Sequence, residues 1–230
     1  VPGARLMARD DTARKALLAH VLDWCRQHNL SSLHLLFVPD HELAACTAAG
    51  LMERHTVQFH WKNVAPYKDF EEFLAALTQE KRKKIRQERR KVAEAGVTFR
   101  WSLGQDISPS DWDFFYRCYE RTYLEHGNAP YLSRDFFRSL GRDLKDSVVL
   151  MVARHEGRMV GAALNLRGAD TLYGRQWGCL EEFKFLHFEA CYYQAIEFAI
   201  EHGLRRVEAG AQGTHKLHRG YAPVWTHSAH

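Results

Sequence analysis

The sequence lacks any apolar run approaching the roughly 18 residues of a membrane-spanning helix, and no charged-then-apolar leader stands at its start. P-loop, dinucleotide-binding and serine-hydrolase motifs are also absent, which excludes those enzyme classes. The five cysteines are scattered and never fall in CxxC spacing. Such thiols are typical of a reducing compartment. We therefore predict a cytoplasmic protein without a transmembrane segment.

Positive charge is concentrated in one stretch of the chain. The net charge is +4, but residues 81–91 contain eight basic residues and one acidic residue, so that stretch carries +7 and the remainder carries −3. One interpretation is a solvated helix face. The other is an anion site for a phosphate-bearing substrate or an RNA backbone. The residues predicted for the anion site are Lys83, Lys84, Arg86 and Arg90.

Two stretches of the chain resemble each other at a distance of about 174 residues. Residues 18–37 and 192–211 both pass from an amphipathic helix to a strand through a His-Asn/Gly-Leu joint. We predict two related units, residues 1–62 and 69–230, with a linker at 63–68. The first copy has few residues before its helix, so we interpret it as incomplete and the chain as a fragment truncated at both ends. The alternative is that helix-turn-strand units look alike in any α/β protein.

The order of the predicted elements is typical of an α+β fold. The basic stretch belongs to a predicted helix over residues 69–94, which Asp69 caps. Three strands in series predict an antiparallel meander. A helix over residues 186–201 and a further strand follow, and the sheet is mixed if that last crossover is parallel. The predicted meander strands are residues 148–154, 159–166 and 171–177.

Three motifs carry a resemblance to a known family. They are LYGRQWG at 172–178, LHFEACYYQ at 186–194 and EAGAQGTHKLHRGYAP at 208–223. With the element order and the basic helix, they resemble the GNAT acyltransferase superfamily and, within it, the Fem-type aminoacyltransferases of peptidoglycan bridges and the proteobacterial FemAB-like family. The resemblance implies a GNAT-like fold, in which helices flank a mixed sheet. It also implies that this fold occurs twice in tandem, and that the activity is acyl or aminoacyl transfer.

The resemblance leaves two acyl donors open, an aminoacyl-tRNA and acyl-CoA. Ordinary GNAT enzymes hold the pyrophosphate of CoA in a glycine-rich turn, because glycine lets several backbone N–H groups converge on phosphate. Here residues 178–186 contain no glycine after Gly178, and Glu181 and Glu182 would repel phosphate. An aminoacyl-tRNA donor also suits the basic helix as a tRNA contact. No resident cofactor is predicted.

Acyl transfer onto an amine needs a proton path and hydrogen-bond donors for the developing oxyanion. His187 and Glu189 open the helix beside the strand end that carries Tyr173, Arg175 and Trp177. The last three share one face at a period of two. We predict that His187 and Glu189 are catalytic and that the other three bind substrate. The alternatives are that His187 only packs and that Glu189 only complements the helix dipole.

The segment 210–220 follows a strand end, where ligand sites of α/β proteins form, and its glycines permit close backbone approach. Fem-type enzymes carry a Phe-Lys-x-Gly-Phe pattern here, and this chain has His218 at the lysine position. Lys216 or Arg219 would then serve in place of that lysine. We predict that His218 is catalytic. The predicted substrate-binding residues are Gln212, Lys216, Arg219 and Tyr221.

We predict a Fem-like transferase that moves an acyl group onto an amine of a cell-wall precursor or a similar small acceptor. The alternatives are a CoA-dependent GNAT N-acyltransferase and a catalytically silent recognition module. Histidines at HxxH spacing, 215 with 218 and 227 with 230, invite a metal interpretation. Structural zinc usually includes cysteine, and fourteen histidines make such pairs common. No metal site is predicted, and the oligomeric state is not indicated.

Overall fold

Eight strands and eight α-helices make up the computed structural model, which describes residues 1–64, 66–211 and 213–230. The helices are α1 (Asp11–Gln27), α2 (Asp40–Ala48), α3 (Phe70–Ala75), α4 (Gln79–Glu94), α5 (Pro109–Glu125), α6 (Arg134–Leu144), α7 (Leu186–Phe188) and α8 (Gln194–Glu201). The strands are β1 (Leu35–Val38), β2 (Glu53–Lys62), β3 (Val97–Leu103), β4 (Val148–His155), β5 (Arg158–Arg167), β6 (Thr171–Cys179), β7 (Arg206–Glu208) and β8 (Ala222–Ala229). Of these described helices, none is long and apolar enough to cross a membrane.

The chain divides into two compact units, Val1–Gln58 with Pro223–His230, and Phe59–Ala222. Strand pairing explains why the last residues join the first unit, since β8 pairs antiparallel with β1. The strand β8 is not predicted from the sequence, and the predicted second unit, residues 69–230, includes these last residues. The division of the sequence into two copies, with a linker at 63–68, stays a prediction.

The two joints of the internal repeat have the same local structure. His28 and His202 are the C-caps of α1 and α8, and each Nδ1 hydrogen-bonds the carbonyl oxygen four residues earlier, at 2.8 and 2.9 Å. The following residues, Asn29 and Gly203, have φ values of 52° and 64°. This left-handed conformation commonly ends helices. The likeness of the two stretches thus extends to their backbone geometry.

The second unit contains the predicted mixed sheet. Strands β3, β4, β5 and β6 pair antiparallel in chain order, and β7 pairs parallel with β6 and antiparallel with β2. One face of the sheet packs on α5, where Leu150 and Leu164 are buried with Phe115 and Cys118. The meander, the parallel crossover and the α+β class with flanking helices are therefore confirmed.

The helix predicted over residues 69–94 is two helices. Asp69 caps α3, which ends at Ala75, and Thr78 caps α4 by accepting a hydrogen bond from the Lys81 amide at 3.5 Å. Threonine favours the extended N-cap conformation and so competes with continuous helix. Without a glycine or proline at the break, the helical pattern does not reveal it.

Candidate active site

A cavity of about 490 Å³ lies where β6 and β7 separate within the second unit. Among the described residues, the parallel pairing covers only Thr171–Tyr173 with Arg206–Glu208, whereas β6 continues to Cys179. Residues 174–177 of β6 border the cavity on one side, and Ala209 and Lys216 border it on the other. Beyond Tyr173, the backbone N–H and C=O groups of β6 that would pair with β7 therefore face the cavity, where a ligand can form hydrogen bonds with them.

The helix after β6 forms another wall of the cavity, and its first part is irregular. A π-helical segment, Glu189–Tyr193, separates α7 from α8. In a π turn, residues five apart lie near one face, whereas a regular α-helix would rotate them apart by roughly 140°. His187 and Tyr192 therefore both line the cavity, together with Cys191. A π turn has no sequence signature, so the positions of Tyr192 and Cys191 at the cavity are not predicted from the sequence.

His187 is accessible from the cavity and is neutral at pH 7. The cavity walls desolvate the ring, and His215, Lys216 and Arg219 add positive charge nearby. Together they lower the pKa of His187 from 6.5 to about 4. The ring stacks on Trp177, with centroids 5.9 Å apart and planes inclined by 26°. His187 is thus held in place as an imidazole that can accept a proton.

Lys216 is 4% exposed. Its ammonium donates hydrogen bonds to the carbonyl oxygens of Ala209 at 2.6 Å and Gly210 at 3.4 Å. No carboxylate lies within ion-pair distance among the described residues. Burial lowers the pKa of Lys216. Because an ammonium has three N–H groups, one remains for an acceptor in the cavity.

Tyr192 and His215 form a proton-sharing pair at the cavity. The Tyr192 hydroxyl lies 3.0 Å from His215 Nε2. Burial raises the pKa of Tyr192 and lowers that of His215, so the hydroxyl keeps its proton and the imidazole is neutral. Gly213 makes room for the ring, because a Cβ there would lie 2.2 Å from His215 Cε1. The pair thus gives the cavity a proton donor, the Tyr192 hydroxyl, and a proton acceptor, the His215 imidazole.

The whole sequence, residues 1–230, matches a family described as peptidoglycan biosynthesis/recognition, FemAB-like. The chain belongs to the FemAB-like family. No curated protein matches the sequence. The FemAB-like fold resembles solved structures at identities too low to show more than the fold.

Three of these solved structures show the fold similarity. The C-terminal domain (DUF2156) of a putative lysylphosphatidylglycerol synthetase from Agrobacterium fabrum is 13% identical, with a TM-score of 0.72 over 96% of this chain and 74% of that chain. FemX is 12% identical, with a TM-score of 0.62 over 95% and 76%. A tandem GNAT protein from the clavulanic acid biosynthesis pathway is 15% identical, with a TM-score of 0.53 over 97% and 71%. The predicted GNAT-like fold is therefore confirmed.

A β-bulge corrects the prediction that Tyr173, Arg175 and Trp177 share one face of the FemAB-like sheet. The register between β5 and β6 shifts by one residue at Arg175, which inverts the alternation beyond it. The pairs on either side of the shift are Asn165 with Gly174 and Leu164 with Gln176. Trp177 and the exposed Arg175 border the cavity, whereas Tyr173 does not.

Glu189 is buried but is not brought together with His187. Its two oxygens accept hydrogen bonds from Arg89 Nε at 3.1 and 3.2 Å, and one also accepts from Gln194 Nε2 at 2.9 Å. Burial raises the pKa of Glu189, and Arg89 and Gln194 oppose that effect. Glu189 therefore ties the helix to α4, and the expected convergence with Arg175 is not found.

Two further predicted residues support the cavity wall without lining it. Arg219 is 2% exposed and donates two hydrogen bonds to Glu88, at 3.1 and 2.7 Å. Tyr221 is buried and donates to the Tyr192 carbonyl oxygen at 3.4 Å. Of the remaining predicted residues, His218 is exposed and Gln212 lies outside the described residues.

The connection from β6 to α7 is poorly suited to a pyrophosphate. A second cavity, of about 320 Å³, borders this connection and is lined by Glu182 and the rings of Phe183 and Phe185. Lys184 lies over the Phe185 ring, at 5.4 Å from its centroid. A phosphate-binding turn needs convergent backbone N–H groups and positive charge. This turn instead presents aromatic rings and a carboxylate.

We expect the His187 imidazole to titrate near pH 4 in the folded protein. Because its folded pKa lies below the unfolded value of 6.5, the ring stays neutral while unfolded histidines take up protons, and its stabilising contribution is lost as pH falls from about 6.5 to 4. NMR of the imidazole Cε1–H, assigned with His187→Gln, measures this pKa directly. A midpoint near 6.5 would contradict the electrostatic account of the cavity.

Proposed function

We propose that this chain is a Fem-like acyl or aminoacyl transferase that moves an acyl group onto an amine of a cell-wall precursor or a similar small acceptor. One observation carries the proposal. A neutral His187 and a Lys216 without a carboxylate partner among the described residues border the same cavity. Acyl transfer needs such a combination, a group that accepts the amine's proton and a donor for the charge on the carbonyl oxygen.

The proposed reaction assigns a task to each side chain. The amine nitrogen attacks the acyl carbon, its proton passes to His187, and the carbonyl oxygen accepts a hydrogen bond from Lys216 as it becomes negative. The ester C–O bond of the donor then breaks. The leaving oxygen takes the Tyr192 proton, which leaves a tyrosinate 3.0 Å from His215 Nε2. His215 passes a proton to the tyrosinate from this nitrogen as its other nitrogen takes one from solvent, and the His187 imidazolium releases the amine's proton to solvent, so no net proton is gained or lost by the protein. The positive surroundings that keep His187 neutral also stabilise the oxyanion.

An aminoacyl ester is the donor that the residues favour. The connection after β6 lacks the features that hold the pyrophosphate of CoA. The fold likeness to FemX and to a putative lysylphosphatidylglycerol synthetase is in keeping with aminoacyl transfer. The exposed face of α4 offers Lys83 and Lys84 to the RNA part of such a donor. The amine would then enter at the β6 edge, beside Arg175.

The direct test is a binding and product assay on the full chain. Thermal shift identifies which of charged tRNA, uncharged tRNA, acetyl-CoA and a UDP-linked cell-wall precursor bind the native state. Mass spectrometry then follows acylation of the precursor amine. We expect a shift with charged tRNA and a product that forms only when donor and acceptor are both present. Product from acetyl-CoA would overturn the donor assignment, and binding without any product would make the chain a recognition module.

Removal of charge from α4 should weaken binding of an RNA donor. Lys83→Gln, Lys84→Gln and Arg86→Gln together are expected to lower affinity and to reduce the slope of log K against log salt by up to about 3, roughly one per lost phosphate contact. Filter binding across a salt series measures this slope. The matched control neutralises Arg134, Arg138 and Arg142 on α6, which removes equal charge elsewhere. Equal effects of the two triple variants would return α4 to the solvated-face interpretation.

A further inference from the structure

Three side chains with metal-ligand atoms converge in the first unit, which contains none of the residues assigned to acyl transfer. Glu53 and His55 are two residues apart on β2, and His227 lies on the neighbouring strand β8. One ligand atom from each lies within 4.8 Å of the others. Among the described residues, this is the one place where three such atoms meet. The convergence follows from strand pairing, since residues two apart on a strand point to one face.

The Glu53 carboxylate lies at ligand-like distances from one nitrogen of each ring. His227 Nδ1 lies 3.4 Å from Glu53 Oε1, and His55 Nε2 lies 3.3 Å from the same oxygen. The two Nδ1 atoms are 2.8 Å apart. Ligands around a tetrahedral zinc ion, each about 2.0–2.1 Å from the metal, are separated by roughly 3.3 Å. The Nδ1–Nδ1 contact is a hydrogen bond between the rings. Because a metal ion binds one nitrogen of each imidazole, metal binding requires the rings to move and to give up this hydrogen bond.

The three groups offer the donor atoms that a transition-metal ion accepts. A neutral imidazole has one acceptor nitrogen and a carboxylate has only acceptors. Without a metal ion, one ring can donate its N–H to the other and His55 Nε2–H can donate to Glu53; with a metal ion, each ring turns one lone pair toward the ion instead. Two nitrogens and one oxygen are donors that zinc accepts, whereas Mg²⁺ and Ca²⁺ prefer oxygen throughout.

We propose that Glu53, His55 and His227 bind one divalent transition-metal ion, zinc by preference, which ties β2 to β8. Three protein ligands leave a fourth position for water. The exposed Asp40, whose Oδ1 lies 3.9 Å from His227 Nε2, lies beside the nitrogen that does not bind the metal. This ligand set differs from the HxxH pair of His227 and His230 that was considered from the sequence. His227 pairs across strands with His55, and its HxxH neighbour His230 pairs with His34 instead.

Zinc titration of the untagged full chain tests the site. Isothermal calorimetry should give one zinc per chain, and zinc at a hundredfold excess over Kd should raise Tm by roughly 5 °C or more, with no rise for Mg²⁺ or Ca²⁺. Cobalt in place of zinc should give the visible absorption of a tetrahedral site with nitrogen and oxygen ligands. His55→Ala, His227→Ala and Glu53→Gln should each weaken binding by at least about tenfold.

The matched control is His34→Ala. His34 and His230 form a second imidazole pair, with Nδ1 atoms 2.6 Å apart, that belongs to no three-ligand group of the described residues. This variant should retain zinc binding, and all variants should keep the wild-type Tm in EDTA, which separates a lost ligand from a failed fold. Zinc binding that survives His55→Ala, that is lost equally in His34→Ala, or that does not occur would overturn the proposal.

Discussion

Lys216→Met is expected to lower kcat by about 10²–10³-fold, the loss typical for one donor to a developing oxyanion. Methionine keeps the length and apolar stem of lysine but has no N–H, so the carbonyl oxygen of the acyl group loses its charged partner. The substitution also leaves the Ala209 and Gly210 carbonyl oxygens without their donor. Steady-state kinetics of product formation and the denaturation midpoint should be measured on the same preparation.

Whether Lys216→Met loses kcat or only stability shows whether Lys216 acts in the reaction. Because an interaction made only in the transition state lowers kcat and kcat/KM together, we expect equal losses in both. Lys184→Met is the matched control, since Lys184 is exposed on the adjoining loop and lines neither cavity. A destabilised Lys216→Met protein that keeps wild-type kcat would show that the lysine only fastens the loop.

Four of the fourteen described residues that line the cavity are predicted from the sequence. His187, Trp177, Arg175 and Lys216 are predicted from residue type and position and do border the cavity. Tyr192 is missed because a π turn brings it to the His187 face. These departures from regular geometry depend on tertiary packing and leave no periodic trace in the sequence.

Two predicted site residues do not line the cavity, and the reason is physical. Glu189 and Arg219 are charged residues in conspicuous motifs, and such residues invite a functional interpretation. Each is instead neutralised by a partner about a hundred residues away along the chain, Arg89 for Glu189 and Glu88 for Arg219. Local sequence cannot reveal such a partner. Both partners lie on α4, so the basic stretch is partly an internal element that holds the cavity wall.

The fold is easier to predict from the sequence than the site, because the fold depends on residue patterns that extend over whole strands and turns. The turns at residues 155–158 and 167–171 separate apolar strands, and this spacing predicts the meander that the structure contains. The strand β8 is missed because it pairs with β1, nearly two hundred residues earlier in the sequence. Pairing at that distance is a property of the folded chain and leaves no local signal in the sequence.

Arg219→Met is expected to destabilise the protein by about 3–5 kcal/mol, because it leaves Glu88 buried without its cation. The guanidinium makes a two-pronged ion pair with Glu88, at 3.1 and 2.7 Å, and donates to the His215 carbonyl oxygen at 2.7 Å. Glu88 is 4% exposed, and its one other side-chain partner among the described residues is the Tyr193 hydroxyl. Urea denaturation measures the loss.

Two further variants separate the cost of an unpaired buried charge from the value of the pair itself. Glu88→Leu combined with Arg219→Met should recover most of the stability, since apolar groups often replace a buried ion pair at little cost. Arg86→Met is the matched surface control. Arg86 also lies on α4, and its substitution removes an exposed ion pair with Glu71, 2.5 Å long. The free energy of unfolding should fall by no more than about 1 kcal/mol. If the double variant were as unstable as Arg219→Met alone, the ion pair itself would hold α4 against the loop that carries Lys216 and His215.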